Sequence, residues 1–358
     1  MDLRTAVAVS MLPISRSPAA AAFKDISSRD VPASPAEVFE TVLTALRVPA
    51  QLWASFVSSA LEMADRAIAA GAGLEVLPLC LGDPRYPALL AAIADPPPVL
   101  WTRGDPAVLH QATVAVVGSR AATPYALQVG EQLGRELSSR GLVVASGLAR
   151  GVDAAAHRGA LGAGGVTVGV LGCGVDRVYP AENAGLAANV SKQGALVAEL
   201  GPGAAPLPEH FPLRNRIISG ISLAVVVVEA SEKSGSLITA RCALEQGRDV
   251  MAVPGSILTG RNRGSHGLLK DGAKVVETAD DILEELGWPG APAPGTPAKS
   301  LISDPLLTRM EPGEVYRLDE LMALTGTAGP KLLTRLTELE LLGLVSTAGM
   351  GRFARVVT

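Results

Sequence analysis

The chain of 358 residues is long enough for two or three domains, and its composition is that of an α/β protein, with 48% hydrophobic residues and 38 glycines. Its net charge of −4, from 31 basic and 35 acidic residues, excludes a protein that coats nucleic acid through bulk positive charge. A nucleic-acid site would therefore be a local concentration of Lys and Arg.

The cysteines and the lengths of the apolar runs indicate the cellular compartment of the protein. The cysteines are widely scattered at Cys80, Cys173 and Cys242, which predicts neither a disulfide framework nor a zinc site. Asp2 interrupts the basic start that a signal peptide needs, and apolar runs such as Leu223–Val228 are too short to span a bilayer. We expect a cytoplasmic protein with no membrane segment.

The N-terminal third is expected to contain three segments. Residues 1–33, rich in Ser, Ala and Pro, predict a disordered tail. Residues 34–81 predict a small helical domain, because Ser34 is a typical N-cap and Pro35 a typical first helical residue. Residues 82–112 are Pro-rich around one short helix and predict a rigid connector.

Residues 113–287 alternate between short apolar runs and helical patterns. This alternation predicts a Rossmann-like, doubly wound parallel sheet. The candidate strands are Thr113–Val117, Leu142–Ala145, Val166–Leu171, Ala195–Ala198, Leu223–Val228, Asp249–Val253 and Lys274–Val276.

The C-terminal part predicts a winged helix. Residues 288–300 form a Pro/Gly/Ala linker, and residues 301–358 give three short helical patterns and a hairpin around Gly349–Gly351. With six basic and seven acidic side chains, residues 301–358 are not a strongly basic clamp, so contact with duplex DNA and contact with protein are both open. The candidate duplex contacts are Lys331, Arg335, Arg352 and Arg355.

Small residues follow the predicted strands, at the sheet edge where ligands bind in this class of fold. Backbone amides there can form anion sites, and a helix N-terminus after Ser234–Ser236 favours phosphate. The alternative is that the glycines only permit tight turns. The loops are Gly118–Arg120, Ser146–Gly151, Gly172–Gly174, Ser234–Ser236 and Pro254–Ser256.

Nucleotide cofactors and metals fit the pattern poorly. Arg120 and Arg177 stand where a dinucleotide fingerprint needs glycine, and no phosphate-binding G-x-x-x-x-G-K-[ST] motif occurs. Asp153 and His157 lie four residues apart and suit an acid/base or metal pair, but further metal ligands are not evident. We expect instead a buried hydrogen-bonding role for this pair, and neither cofactor nor metal.

The segment Glu209–Ser222 carries Phe211, Arg214, Asn215 and Arg216 in a chain that is only 3% aromatic. Single-strand sites combine a cationic groove for the backbone with an aromatic face for a base. The alternative is that Phe211 belongs to the core and the arginines form salt bridges.

Motifs in a fixed order resemble a known family. They are "VAVVGSR", "SGLARGVDAAAHRGAL", "GVLGCGVDRVYPAEN", "FPLRNRIISGIS", "VVVVEASEKSGSLITARCALEQGRDVMAVPG" and "GSHGLLKDGA". Together they resemble the DNA-processing protein A family, also called DprA or Smf, from about Tyr86 to Glu285.

The resemblance implies a single-stranded DNA-binding protein, usually a homodimer, without catalysis. It also implies that the protein helps to load RecA onto strands covered by single-strand binding protein, notably in natural transformation and recombination. The candidate DNA-binding residues are Gly118, Ser119, Arg120, Ser146, Gly147, Phe211, Arg214, Asn215, Arg216, Lys233, Ser234, Gly235, Ser236 and Arg241.

Self-association is expected near the end of the sheet domain. Gly264–Leu286 carries more apolar residues than one strand–helix unit needs. The resemblance implies a self-association surface in this region, so we expect a dimer contact at Leu268 and Leu269. The alternative is that the N-terminal domain or the winged helix covers these residues. Two other functions compete with DNA binding: a nucleoside-phosphate enzyme similar to phosphoribohydrolases, which would need a catalytic Glu and Arg in a closed pocket, and a protein-interaction scaffold.

Overall fold

The computed structural model describes residues 1–14, 17–29, 31–288, 304–311, 314–341, 344–347 and 351–355. Two compact units make up the chain, Met1–Ala293 and Pro294–Thr358. No helix in the described parts of the chain has the length and apolar character needed to cross a membrane.

The N-terminal unit begins with four helices, and the expectation of a disordered tail is wrong. Asp2 and Ser17 cap the first two helices, and side chains such as Phe23 and Ile26 are buried. Ala has the highest helix propensity, so an Ala-rich segment with N-caps folds once it has a surface to pack on. The helices are α1 (Leu3–Ser10), α2 (Pro18–Ser27), α3 (Pro35–Ala45) and α4 (Trp53–Gly73).

The described strands of this unit form one nine-stranded sheet in the order β1-β2-β6-β5-β4-β3-β7-β8-β9. Neighbours from β6 to β9 run parallel, while β2 is antiparallel to β1 and β6. The strands are β1 (Leu77–Cys80), β2 (Val99–Gly104), β3 (Thr113–Val117), β4 (Val143–Ser146), β5 (Thr167–Leu171), β6 (Ala195–Ala198), β7 (Ala224–Val227), β8 (Asp249–Ala252) and β9 (Lys274–Val275).

The predicted parallel sheet is confirmed, with every predicted strand found to within one residue at each end. The predicted connector over residues 82–112 is wrong, because it contains β2, an internal strand of the sheet whose Trp101 is fully buried. The helical segment 34–81 is likewise not a separate domain, since it contributes β1 to the same sheet and its helices belong to the same compact unit.

Helices cover both faces of the sheet. Along β3, Val114 and Val116 pack with α6, α7 and α12, while Ala115 and Val117 pack with α5, α9 and α10, because successive side chains of a strand point to opposite faces. These helices are α5 (Ala88–Ala92), α6 (Pro124–Ser139), α7 (Val152–Gly162), α8 (Ala184–Gln193), α9 (His210–Gly220), α10 (Ser236–Glu245), α11 (Arg263–Lys270) and α12 (Ala279–Glu285).

The chain order in the sheet reverses between β3 and β7. From β3 the chain moves outward through β4, β5 and β6, and it then returns to the other side of β3 to form β7, β8 and β9. In open α/β sheets the loops at such a reversal diverge and leave a crevice at the carboxyl ends of the strands. The fold therefore places a binding site beside the loops that follow β3 and β7.

The C-terminal unit has its own small core around Leu321, Leu336 and Phe353. Its described strands form an antiparallel sheet in the order β10-β12-β11. The first of the three predicted helices is only a 3-10 turn, Leu307–Arg309. Residues 349–350 of the predicted hairpin turn and residues 289–300 of the predicted linker lie outside the described residues. The remaining elements are β10 (Val315–Arg317), α13 (Leu318–Thr325), α14 (Gly329–Leu341), β11 (Val345–Thr347) and β12 (Arg352–Arg355).

Candidate functional site

A cleft of about 560 Å³ lies at the reversal point of the sheet, between the loops that follow β3 and β7 and the first half of α9. Most of the candidate residues converge on it although they are separated by more than a hundred positions in the chain. The predicted residues that line the cleft are Gly118, Ser119, Arg120, Phe211, Arg214, Asn215, Ser234, Gly235 and Ser236.

Phe211 forms an aromatic wall of the cleft. The guanidinium carbon of Arg120 lies 5.4 Å from the centre of the Phe211 ring, within the range of a cation–π contact. The ring of Tyr179 lies on Phe211 with a centroid separation of 5.5 Å and an interplanar angle of 42°. Both Arg120 and Tyr179 are exposed, so a flat aromatic group and a fixed cation face the solvent side by side.

Tyr179 is not among the functional residues predicted from the sequence. It lies in the loop after β5, in the motif "GVDRVYPAEN", and it is one of few aromatic residues in the chain. A scarce aromatic residue in a loop at the carboxyl edge of the sheet was the available signal.

Arg214 forms the floor of the cleft. Its guanidinium is almost wholly buried, Nη1 donates to the Val170 carbonyl oxygen at 2.5 Å, and Nε has no hydrogen-bond partner within the described protein. Burial lowers its pKa to about 10, with the Asp153 carboxylate opposing that shift, so the guanidinium stays charged at neutral pH. A buried positive charge beneath the cleft favours an anionic ligand above it.

Gly147 makes room for Arg214. A Cβ atom at this position would lie 2.0 Å from Nη1 of Arg214, closer than any nonbonded contact permits. Gly147 lies in a small pocket that adjoins the cleft and shares Arg120, Phe211 and Arg214 with it. Gly147, which was predicted to contact DNA, is therefore required for the guanidinium of Arg214 to occupy its position.

Asp153 and His157 do not form an acid/base pair. The Asp153 carboxylate accepts from the amide of Gly147 at 3.1 Å, whereas Nδ1 of His157 lies 2.7 Å from Oγ1 of Thr167. Burial raises the pKa of Asp153 and lowers the pKa of His157 to about 3, so the imidazole is neutral. Asp153 holds the start of α7, and His157, in the middle of that helix, bonds to β5. Each side chain therefore has a structural role, but these two described residues bond to other groups and not, as had been expected, to each other.

The loop before α10 supplies hydroxyls to the cleft. Oγ of Ser234 lies 2.7 Å from Oγ of Ser236, the first residue of the helix. Nδ2 of Asn215 donates to the Gly235 carbonyl at 3.2 Å and ties this loop to α9 beside Arg214. The two hydroxyls beside the N-terminus of α10 favour an anion, whereas the amides of Ser236, Leu237 and Ile238 already donate to Ser234 and Gly235.

The loop after β3 is held from below by Glu229. This carboxylate is buried at the end of β7 and accepts from Oγ1 of Thr123 at 2.6 Å, while Oγ1 of Thr123 caps α6. The backbone carbonyl of Ser119 accepts from the amide of Val152 at 3.3 Å. Arg120 is therefore carried by a turn with fixed ends.

Two of the predicted DNA-binding residues are buried away from the cleft. Ser146 is fully buried and its Oγ donates to the Val116 carbonyl at 2.6 Å. Arg216, whose side chain is 3% exposed, pairs with Asp95 at 2.9 Å and Glu199 at 2.7 Å. Two helical positions differ by about 200° in direction, so Arg216 points away from the cleft that Arg214 faces. For both residues the expected contact with DNA is wrong.

Arg216 is instead a structural cation. Burial lowers its pKa, but the carboxylates of Glu199 and Asp95 outweigh burial and raise the pKa overall. Lys233 and Arg241 are exposed beside the cleft without lining it, and their predicted contacts with DNA stay predictions.

The region of the expected dimer contact is less apolar on its surface than its sequence indicates. Val276, Ile282 and Leu283 are buried in the core of the same unit, and Leu268 packs partly against it. These residues therefore provide no surplus apolar surface, and the expectation that they do is wrong. What remains at the edge is the half-buried Leu269 and Val275, which is 46% exposed.

The candidate cations of the C-terminal unit divide into two kinds. Arg335 pairs with Asp304 and Glu338, and Arg355 donates to the carbonyls of Leu307 and Met310, so both serve the unit itself. Lys331 and Arg352 are exposed. The structure describes all four predicted cations, and of these four Lys331 and Arg352 are the two available to contact a partner molecule.

Comparison with known proteins supports the resemblance. A family model for DNA recombination-mediator protein A matches residues 78–287, and a model for the DprA winged helix domain matches residues 289–349. Protein Smf of Escherichia coli is 42% identical over 276 residues, which cover 74% of this chain and 74% of that protein. DNA processing protein DprA of Bacillus subtilis is 44% identical over 215 residues, which cover 60% of this chain and 72% of that protein.

Solved structures agree with this assignment. The X-ray structure of DNA processing protein A from Streptococcus pneumoniae has a TM-score of 0.58 at 37% identity and covers 74% of this chain and 86% of its own. A structure of DNA processing protein A from Helicobacter pylori, which concerns the single-stranded DNA binding mode of that protein, has a TM-score of 0.54 at 29% identity and covers 59% and 95%. The first family model covers more than half of the chain, and the chain therefore belongs to the DNA recombination-mediator protein A family.

Proposed function

We propose that the cleft binds single-stranded DNA. The observation that carries this proposal is the pairing of Arg120 with the half-buried ring of Phe211, above the buried cation of Arg214. A base stacks on the ring of Phe211 or Tyr179, while its phosphates meet Arg120 and the hydroxyls of Ser234 and Ser236 at the start of α10. Because every base has an aromatic face, this arrangement binds strands of any sequence.

Charge distribution supports a single strand rather than a duplex as the ligand. The chain as a whole is acidic, so attraction to DNA depends on the few cations around the cleft. A stacked base must also be accessible, as it is in a single strand and not inside a duplex. The Helicobacter pylori relative, which belongs to the same family, is a single-stranded DNA-binding protein.

We propose further that the protein protects incoming or exposed single strands and helps to load RecA onto them, in natural transformation and recombination. The family name, DNA recombination-mediator, supports this role. Displacement of single-strand binding protein would follow from competition for the same strand. The test is a filament assay: RecA is added to DNA covered by single-strand binding protein, and we expect faster filament growth with this protein than without it. Equal rates would contradict the loading role.

We propose no catalytic reaction for the cleft. The competing enzyme needs a Glu and an Arg free to act in a closed pocket, whereas the acidic side chain that lines this open cleft, among its described lining residues, is Asp153. That carboxylate is buried and accepts from a backbone amide. Incubation with nucleoside monophosphates tests this directly, and release of free base would support the enzyme.

Two further features remain proposals. We propose a homodimer formed through the edge at Leu269 and Val275, with the two clefts facing outward, which would raise avidity for one strand without new contacts. Charge substitution at Leu269 followed by light scattering tests it. In the winged helix, Lys331 and Arg352 are the exposed cations of the predicted set that could contact a duplex or a protein.

A cytoplasmic location remains a prediction from the cysteine pattern.

A further inference from the structure

The loop that follows β8, residues 254–262, stands directly beside the cleft. β8 is the neighbour of β7 in the sheet, so its carboxyl-end loop is the next one along the same edge. Nη1 of Arg261 donates to the carbonyl of Ala121, which lines the cleft, at 2.7 Å. Nη1 of Arg263 lies 3.8 Å from Oε1 of Glu232, in the loop after β7. The β8 loop thus contacts the wall of the cleft that the loop after β3 forms, and Arg263, just beyond it, faces the loop after β7.

The stem of the β8 loop is fixed by several contacts. A Cβ atom on Gly255 would lie 2.4 Å from Cγ of Asn262, so the two ends of the loop are in close contact. The Gly255 carbonyl lies 3.1 Å from Nε2 of His266, and the hydroxyl of Tyr125 donates to the Pro254 carbonyl at 3.1 Å. The loop is anchored on both sides of its tip.

The tip of the loop displays two adjacent aliphatic side chains, Ile257 at 81% and Leu258 at 89% exposure. Single exposed apolar residues are ordinary, but a neighbouring pair on an anchored stem beside a binding cleft indicates a contact surface. Ile and Leu are among the side chains that proteins insert against the faces of DNA bases. The flanking cations Arg261 and Arg263 suit the phosphates that accompany those bases.

We propose that Ile257 and Leu258 form a second base-contacting subsite, which holds the single strand where it leaves the cleft. This inference rests on the proposed function of the cleft. A second copy of this chain is the less suitable occupant. A two-fold contact centred on the loop would bring the Arg261 and Arg263 side chains of both copies together, and like charges repel across an interface.

The test uses the full chain with Ile257→Ser and Leu258→Ser combined. Both side chains are exposed, so the fold should be unaffected, and Leu244→Ser, at a position that is 60% exposed on α10, is the matched control. Two oligothymidylates are compared, one of about four nucleotides that fills the cleft and one of about twenty that extends past it. We expect about tenfold weaker binding of the long strand, unchanged binding of the short one, and an unchanged salt dependence because no phosphate contact is lost.

The outcomes separate this inference from the function on which it rests. If the unaltered protein binds neither strand, the proposed function fails. If it binds both and the double variant binds the long strand as tightly as the Leu244→Ser control does, the second subsite is wrong while the cleft stands. If light scattering shows that the double variant has lost a dimer, the loop contacts a second copy and the inference is overturned.

Discussion

Phe211→Ala removes the aromatic wall of the cleft. It shows whether the ring contributes to DNA binding by stacking on a base or to the stability of the fold. One edge of the ring lies against Gly172, while Arg120 and Tyr179 contact the rest. Loss of base stacking costs about 1–3 kcal/mol of binding free energy, which corresponds to a roughly 5- to 150-fold higher Kd. The ring is only half-buried, so the free energy of unfolding should fall by less than the roughly 3–5 kcal/mol of a fully buried Phe.

Fluorescence anisotropy with a labelled oligonucleotide and chemical denaturation, on one preparation, measure both quantities. Phe211→Trp is the matched variant, because an indole keeps the stacking face and should retain binding. A variant that loses most of its unfolding free energy but binds normally per folded molecule would assign Phe211 to the core and refute the stacking role.

Further variants test the surroundings of the cleft. Gly147→Ala displaces Arg214 from its carbonyl partner, so we expect weaker DNA binding and about 1.5–3 kcal/mol lower stability in denaturation, whereas Gly162→Ala, whose Cβ meets no atom within 4 Å, should cost nothing. Arg216→Ala leaves the carboxylates of Asp95 and Glu199 without their cation, so the free energy of unfolding should fall by about 3–5 kcal/mol while the DNA affinity per folded molecule is unchanged. A variant of full stability that binds DNA more weakly would contradict the structural role of Arg216. Because burial lowers the pKa of His157 from 6.5 to about 3, the unfolded chain takes up a proton that the folded chain does not. Stability should therefore fall below pH 6.5 by about 1.4 kcal/mol per pH unit, and His157→Gln should remove that slope in denaturation curves between pH 6.5 and about 5.

The parallel sheet could be predicted because its signal is local. Runs such as Thr113–Val117 and Leu223–Val228 are apolar on both faces, as buried parallel strands must be, and each is bounded by small residues. A parallel sheet places the loops after β3 and β7 at one edge, so their proximity could be predicted, whereas the reversal of chain order that opens the cleft between them was not predicted.

Roles that depend on side-chain direction were harder to predict. Arg214 and Arg216 are indistinguishable in sequence, and only the helical phase of α9 sends one to the cleft and the other to a buried ion pair. The helices α1 and α2 and the strand β2 were missed for a different reason. The Ala-rich sequences of α1 and α2 are ambiguous until the sheet edge and α4 provide a surface to pack against, and β2 directly follows three prolines that suggested a connector.

The salt dependence of single-strand binding, measured for the unaltered protein and Arg120→Ala, tests the central claim most directly. Arg158→Ala, at an exposed position on α7, is the matched control. We expect preferential binding of single-stranded over duplex DNA, weaker binding by Arg120→Ala for any sequence, and a plot of log affinity against log salt that is flatter by roughly 0.7 for the one lost phosphate contact. Arg120→Ala protein that is fully folded and binds with the same affinity and the same slope as the unaltered chain would contradict the proposed site.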